Sequence, residues 1–289
     1  MSIISPNLKK TIIHVWTQEF LELDVNKTEN FFGFGDLIRC SIQLYKLCKC
    51  MNYNFILDIS LHPISQFYNE YKHKYSELIK DNKNNIYHIP EYMMLRYISI
   101  NIKKQDVVYF ISNFGSSIYE HNFCENKYET IERVNYFKKI FTPNDSFMNY
   151  LNTNYQDILN TNYNIIHYRL GDEYLLNKNT ESFDKIYIHL CKIYNNNSIF
   201  ICDSNEFKKY ILEKNNKNIN KIKMLNTNAC HIGKCKDSNM LKNTLSELYI
   251  ISNSKHINTY STYEWVSGFV CHISRLYNIS INTNINVVF

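Results

Sequence analysis

The sequence predicts an α/β protein built from two Rossmann-like domains facing one another, and three observations carry that expectation. Runs of β-branched and aromatic residues alternate with amphipathic stretches of helical period along the chain. The alternation begins twice, at Thr11-Ile12-Ile13-His14-Val15-Trp16 and again at Ile165-Ile166-His167-Tyr168-Arg169. The length of 289 residues suits one large or two modest domains, and so leaves room for both starts. A boundary is expected near residues 143–163, giving domains over residues 1–150 and 151–289.

Each element has its own justification. The first strand, Thr11–Trp16, leads through a polar loop to Phe31-Phe32-Gly33-Phe34-Gly35-Asp36. An amphipathic helix is expected from about Leu37 to Met51, burying Ile38, Ile42, Leu44, Tyr45 and Leu47. Asn54–Ser60 (NFILDIS) reads as the second strand and Val107–Ile111 (VVYFI) as another. Ile131–Phe141 has helical spacing, and Thr142-Pro143-Asn144-Asp145 is a turn and cap signal before a further helix. In the second half, strand Ile165–Arg169 precedes a helix around Asp184–Tyr194. Strand Ser198–Cys202, helix Asn205–Lys214 and strand Ile222–Leu225 follow. Helix Asn239–Ser252, strand His256–Tyr260 and helix Thr262–Tyr277 complete the series. The stretch from His62 to Lys104 carries no comparable pattern.

Composition excludes several classes. Hydrophobic residues make up 45% and charged residues 20%, the balance of a folded globular chain, not a disordered one. The abundance of Asn, Ile, Lys and Tyr reflects an AT-rich coding sequence, as in large DNA viruses, parasites or low-GC bacteria, so it speaks of source and not of function. A net charge of +5 suits an anionic ligand but is too diffuse for a nucleic-acid protein. The most basic run, Lys208 to Lys223 (KKYILEKNNKNINKIK), reads as a solvated helix and loop. The stretch MSIISPNLKKTIIHVW has no long apolar core with a small-residue cleavage site and is not expected to act as a secretory leader, and no apolar run approaches the roughly 20 residues needed to span a bilayer. A soluble, cytoplasmic protein is expected, with its odd count of 9 cysteines kept as thiols.

The chemistry is concentrated in Ile165-Ile166-His167-Tyr168-Arg169-Leu170-Gly171-Asp172. A buried strand ends there in a histidine, an arginine and a Gly-Asp turn. Ligands of open α/β sheets bind at the carboxyl ends of strands. An arginine at that place offers a fork of donors matched to phosphate, and a histidine a second, neutral or charged, donor. His-x-Arg-x-Gly-Asp also resembles the signature of the fucosyltransferase superfamily, which includes α-1,2- and α-1,6-fucosyltransferases and protein O-fucosyltransferases. In that family the arginine holds the donor's pyrophosphate.

Further segments carry the resemblance. Glu247, in Leu245-Ser246-Glu247-Leu248-Tyr249, takes the place of the family's acidic residue on a helix, usually Asp. Ser261-Thr262-Tyr263 corresponds to the Ser-Thr/Ser-Phe that opens the last helix, with Tyr263 for the usual Phe. Independently of the family, Ser and Thr where a strand hands over to a helix present hydroxyls and free N–H groups to an anion, or simply cap the helix. Asp203 ends the strand Ser198–Cys202, where the family has an acidic turn; it contacts the donor or caps the next helix. Gly33-Phe34-Gly35-Asp36 is similar to the family's Gly-x-Gly-Asn turn and to a Gly-x-Gly-Asp turn in heptosyltransferase-like enzymes. Gly33 and Gly35 would let the backbone approach the donor, and Asp36 is either a general base or a helix cap. Asp172 and Glu173 are weaker candidates for the base.

No Asp-x-Asp occurs, so the usual acidic clamp for a metal–nucleotide sugar is absent from the sequence. Cys230-His231 with Cys235, and Cys40 with Cys48 and Cys50, lack paired zinc spacing and read as free thiols. The resemblance therefore implies an inverting, metal-independent glycosyltransferase of the GT-B type. Its donor domain is residues 151–289 and its acceptor-side domain 1–150. It takes no cofactor beyond a donor substrate, GDP-fucose or another nucleotide sugar, and its partners are that sugar nucleotide and a glycan acceptor. Arg169 and His167 would stabilise the leaving diphosphate, Ser261 and Thr262 would share that phosphate, Glu247 and Asp203 would fix the nucleoside, and Tyr263 and Asp172 would belong to the donor site. A transferase of the same architecture with a different donor, and an inert nucleotide- or glycan-binding relative, stay open beside it.

Overall fold

Parallel pairing of short apolar strands organises both halves of the chain. The computed structural model describes residues 10–17, 33–69, 86–88, 107–111, 127–171, 180–216, 221–225, 227–233 and 235–289. It divides into two units, Met1–Ser146 and Phe147–Phe289.

In the first unit β1 (Thr11–Thr17) leads to α1 (Phe34–Cys50) and β2 (Asn54–Leu61), with β3 (Ile86–His88) and β4 (Val107–Ile111) further on. The described strands form one sheet in the order β2-β1-β4-β3, every pair parallel. Helix α2 (Lys127–Ile140) and α1 pack on the same face, where Tyr45 and Phe137 meet Phe55 with ring centroids 5.8 and 6.4 Å away. His14 of β1 and Ser41 of α1 are bonded across this layer at 2.9 Å. Helix α1 starts at Phe34, not at Leu37. Gly33 is its N-cap, with φ −68°, a conformation open to any residue. The Gly-x-Gly-Asp segment is thus the first helical turn and not a loop.

In the second unit α3 (Asp145–Leu159), most of which it contains, precedes β5 (Asn164–Arg169), α4 (Thr180–Ile193) and β6 (Ser198–Cys202). Then come α5 (Asn205–Asn215), α6 (Ser238–Ser252), β7 (His256–Ser261), α7 (Gly268–Tyr277) and β8 (Ser280–Asn284). The sheet order is β6-β5-β7-β8, again all parallel. Strand β5 is interior and buried on both faces, which explains its nearly unbroken apolar run. Ile166, Tyr168 and Leu170 point into a core with Ile186, Leu190, Phe200 and Phe207, so Ile165, His167 and Arg169 share the opposite face.

Two expectations are corrected here, and one strand is added. Residues 222–225 form a single bridge, Met224 to Phe200, and no strand. The last long helix begins at Gly268, because residues 262–267 make a turn held by side-chain bonds. β8 has no counterpart in the sequence reading: its Ser-Ile-Asn-Thr-Asn is polar and largely exposed at the sheet edge, so it shows neither alternation nor a β-branched run. Among the described residues no helix is long and apolar enough to cross a membrane, no three His, Cys, Asp or Glu side chains gather as a metal site, and eight cysteines are free.

Candidate functional site

The second sheet reverses direction at β5. From β5 the chain moves to β6 on one side, then returns to β7 on the other. Such a reversal leaves a crevice outside the carboxyl ends of the two diverging strands. β5 ends there in Arg169, and the parallel register sets Arg169 beside Ser261 of β7. Sequence-distant residues thereby meet on one edge: Arg169 at the end of β5 with Gly171 beyond it, Asp203 after β6, and Ser261 at the end of β7 with Thr262 and Tyr263 beyond it.

Arg169 is partly buried, and no described residue accepts a hydrogen bond from its Nε. Its guanidinium carbon lies 5.4 Å from the centre of the Tyr263 ring, within range of a cation–π contact. An arginine with a desolvated, unmatched N–H beside a crevice is prepared for an oxyanion, since leaving that donor unmade is costly.

His167 stands one row deeper on the same face. It is 2% exposed, and its Nδ1 is 2.9 Å from the Thr259 hydroxyl. Burial, with the charges of Arg169 and Lys208 nearby, lowers its pKa from 6.5 to about 3. The imidazole is therefore neutral near pH 7, which removes the charged alternative left open by the sequence.

Asp203 builds the turn after β5. Its carboxylate accepts N–H bonds from Leu170 at 2.9 Å and Gly171 at 3.3 Å. Burial against the turn raises its pKa, opposed by those N–H groups and by Arg169. The helix cap at this corner is the next residue: Ser204 Oγ accepts the N–H of Phe207 at 3.0 Å.

Ser261 and Thr262 also differ from expectation. Ser261 Oγ donates to the carbonyl of Trp265 at 2.7 Å and accepts the N–H of Tyr263 at 3.2 Å. Thr262 Oγ1 lies 3.4 Å from the carbonyl of Arg169. Both hydroxyls hold the β7 turn to itself and to β5, so neither stands at a helix N-terminus. Tyr263 fits against Gly171, which has φ +67°, and stacks on Trp265 with centroids 5.2 Å apart.

Glu247 is buried, 3% exposed, and bonded through Oε1 to Lys208 Nζ at 2.5 Å and Thr227 Oγ1 at 2.9 Å. Lys208 also donates to the carbonyl of Thr227 at 3.3 Å. The sequence reading missed Lys208 by taking its basic run as solvated. A signal was present: Lys208 shares a helical face with Ile211 and Asn215, both buried. Asp172 and Glu173 lie outside the described residues.

Gly33, Gly35 and Asp36 belong to the first unit. Asp36 is at the third position of α1, where the helix dipole favours a carboxylate. It makes no cap bond and pairs with Arg39 at 3.2 Å while one-third exposed.

No protein-family pattern and no curated protein sequence matches the chain. Solved structures do. NodZ α-1,6-fucosyltransferase co-crystallised with GDP aligns with a TM-score of 0.50 and 9% identity over 92% of this chain and 91% of that one. NodZ soaked with GDP-fucose gives 0.50 and 8% over 93% and 92%. POFUT1 in complex with GDP gives 0.51 and 8% over 98% of this chain and 100% of its own. At such identity the likeness is one of fold: a mixed α/β chain with parallel sheets, GT-B-like, shared with fucosyltransferases.

Proposed function

We propose that this chain is an inverting, metal-independent glycosyltransferase that moves fucose from GDP-fucose to a glycan hydroxyl. One observation carries the reading: Arg169, whose buried Nε has no partner among the described residues, sits at the strand reversal of the second sheet. In this proposal the acceptor hydroxyl oxygen attacks the anomeric carbon as the bond from that carbon to the diphosphate oxygen breaks. The bonding pair leaves on the phosphate, where the Arg169 charge stabilises it, and fixed charges of this kind tend to dominate such catalysis. Neutral His167 contributes a hydrogen bond and not a charge. Ser261 and Thr262 act by shaping the turn that carries Tyr263, and Asp203 by fixing the backbone after Arg169. Asp36 is assigned as the base that takes the hydroxyl proton, and Gly33 and Gly35 as the backbone beside it. Residues 151–289 form the donor domain of this reading and 1–150 the acceptor domain.

A second reading uses the same phosphate chemistry with another nucleotide sugar. It is favoured by Glu247, whose Oε1 is already committed to Lys208 and Thr227 instead of being reserved for a base.

Thermal stabilisation by GDP, UDP, ADP and dTDP, with EDTA present, tests both. A ligand at 100 times its dissociation constant adds about 2.7 kcal/mol. A GDP-selective shift that disappears in Arg169→Ala is the expected result and justifies transfer assays with GDP-fucose. Selectivity for another base would discard fucose, and no shift with any nucleotide would discard the transferase.

A further inference from the structure

We infer that Trp265 is a platform on which a pyranose ring of the glycan acceptor stacks, an inference that rests on the glycosyl-transfer reading. The indole is 57% exposed. Single exposed aromatics are ordinary on protein surfaces, but this one is not isolated. It lies nearly parallel to Tyr263, at 23°, and Tyr263 in turn meets the Arg169 guanidinium. Arg169, Tyr263 and Trp265 thus form a column that starts at the candidate phosphate site and ends in solvent.

The column is held from behind. Besides the Ser261 bonds to Trp265 and Tyr263, the carbonyl of Tyr263 accepts the N–H of Asn286 at 2.9 Å, and that of Ser261 accepts the N–H of Val287 at 3.0 Å. A flat ring with two rotatable bonds on a fixed turn loses little freedom when a ligand covers it. Its face is apolar and its edge carries an N–H, the complement of a pyranose with a C–H face and a hydroxyl rim.

Strand order selects the occupant. Asp203 follows β6, on one side of Arg169, and Trp265 follows β7, on the other. In this inference the phosphates lie at Arg169 with the nucleoside toward β6, so the transferred sugar points toward β7. The acceptor has to arrive there.

The chain has two tryptophans, and Trp16 is fully buried, so solvent-exposed indole emission comes from Trp265. The full chain, with GDP present and then without it, is titrated with methyl β-galactoside, lactose and N,N′-diacetylchitobiose. A saturable change in emission with at least one sugar is expected. By calorimetry, Trp265→Ala should weaken that sugar about tenfold and Trp265→Phe less, at the scale of one aromatic contact. The GDP dissociation constant should stay within about twofold. Emission unmoved by all three sugars, or an unchanged sugar affinity in Trp265→Ala, would overturn the platform. Quenching by GDP itself, with GDP binding lost in Trp265→Ala, would give the ring to the nucleobase and also overturn it. If GDP fails to bind the wild type, the GDP-fucose reading fails, while the titration without GDP still decides the platform.

Discussion

The phenol of Tyr263 fills the space that a side chain on Gly171 would need: a methyl group there would fall 1.7 Å from the Tyr263 oxygen. Gly171 also has φ +67°, which costs an L-residue about 1–2 kcal/mol before any clash. The glycine of the Arg-Leu-Gly sequence is therefore required twice, by the backbone and by the ring laid over it. Gly171→Ala should lower stability in urea by more than this backbone cost and weaken nucleotide binding by displacing Tyr263 from Arg169. In Gly171→Ala/Tyr263→Ala the clash is gone, so the two changes should be less than additive. Strict additivity would mean the ring and the glycine do not interact.

Arg169 gives a sharper test through the geometry of its donors. Arg169→Ala should lower turnover on the order of 10²–10³-fold with the fold intact by circular dichroism. Arg169→Lys keeps the charge but loses the planar fork, so nucleotide affinity should recover only in part. Full activity in the lysine variant would reduce the site to a point charge.

The pair of Lys208 and Glu247 is 5% and 4% exposed in its side chains. Removing one member of such a pair leaves the other as an uncompensated buried charge. Lys208→Met should destabilise the second unit by about 3–5 kcal/mol, while Lys208→Met with Glu247→Leu recovers most of that loss. Equilibrium unfolding of the single and double variants measures it, and equal stability of the two would contradict the pairing.

His167 makes stability depend on acid. Its folded pKa of about 3 lies below the ordinary 6.5, so between those values the unfolded chain binds a proton that the folded chain refuses. Stability is complete above pH 6.5 and falls as pH drops toward 3, by up to about 1.4 kcal/mol per pH unit for this group. His62, lowered to about 4 by burial, adds to the same slope over a narrower range. His167→Gln should show a shallower decline between pH 6 and 4 in urea titrations. An unchanged slope would mean that His167 ionises in the folded state.

What the sequence made legible follows from what each residue does locally. β5 and β6 were readable because buried strands have to be apolar throughout, and Arg169 because a charge ending such a run has a single way out. The start of α1 was not readable: glycines at 33 and 35 suggest a loop, yet neither uses the freedom that glycine has, and the helix runs through them. Thr262 was misplaced for the converse reason. Ser-Thr is a favoured helix start, but here the hydroxyls hold a turn, and the helix waits for Gly268. Asp203 was legible as the acid that ends β6, yet its bonds to Leu170 and Gly171 depend on β6 lying beside β5. That is long-range information which no local spacing contains. The burial of Lys208 was legible in its helical face, but its partner Glu247 was not, since that residue is on another helix.

The register between β5 and β7 has a consequence for how this protein can change. Ile165 faces Ile257 and Arg169 faces Ser261 without interruption. Shifting β5 by one residue would turn Arg169 toward the core and a core side chain toward the crevice, and shifting β7 would do the same to Ser261. Insertions and deletions within these strands are therefore closed to evolution as a source of new specificity. Novelty has to come by exchanging side chains on a fixed frame, or by lengthening the connections beyond it, so that relatives with quite different acceptors would still superpose at this edge.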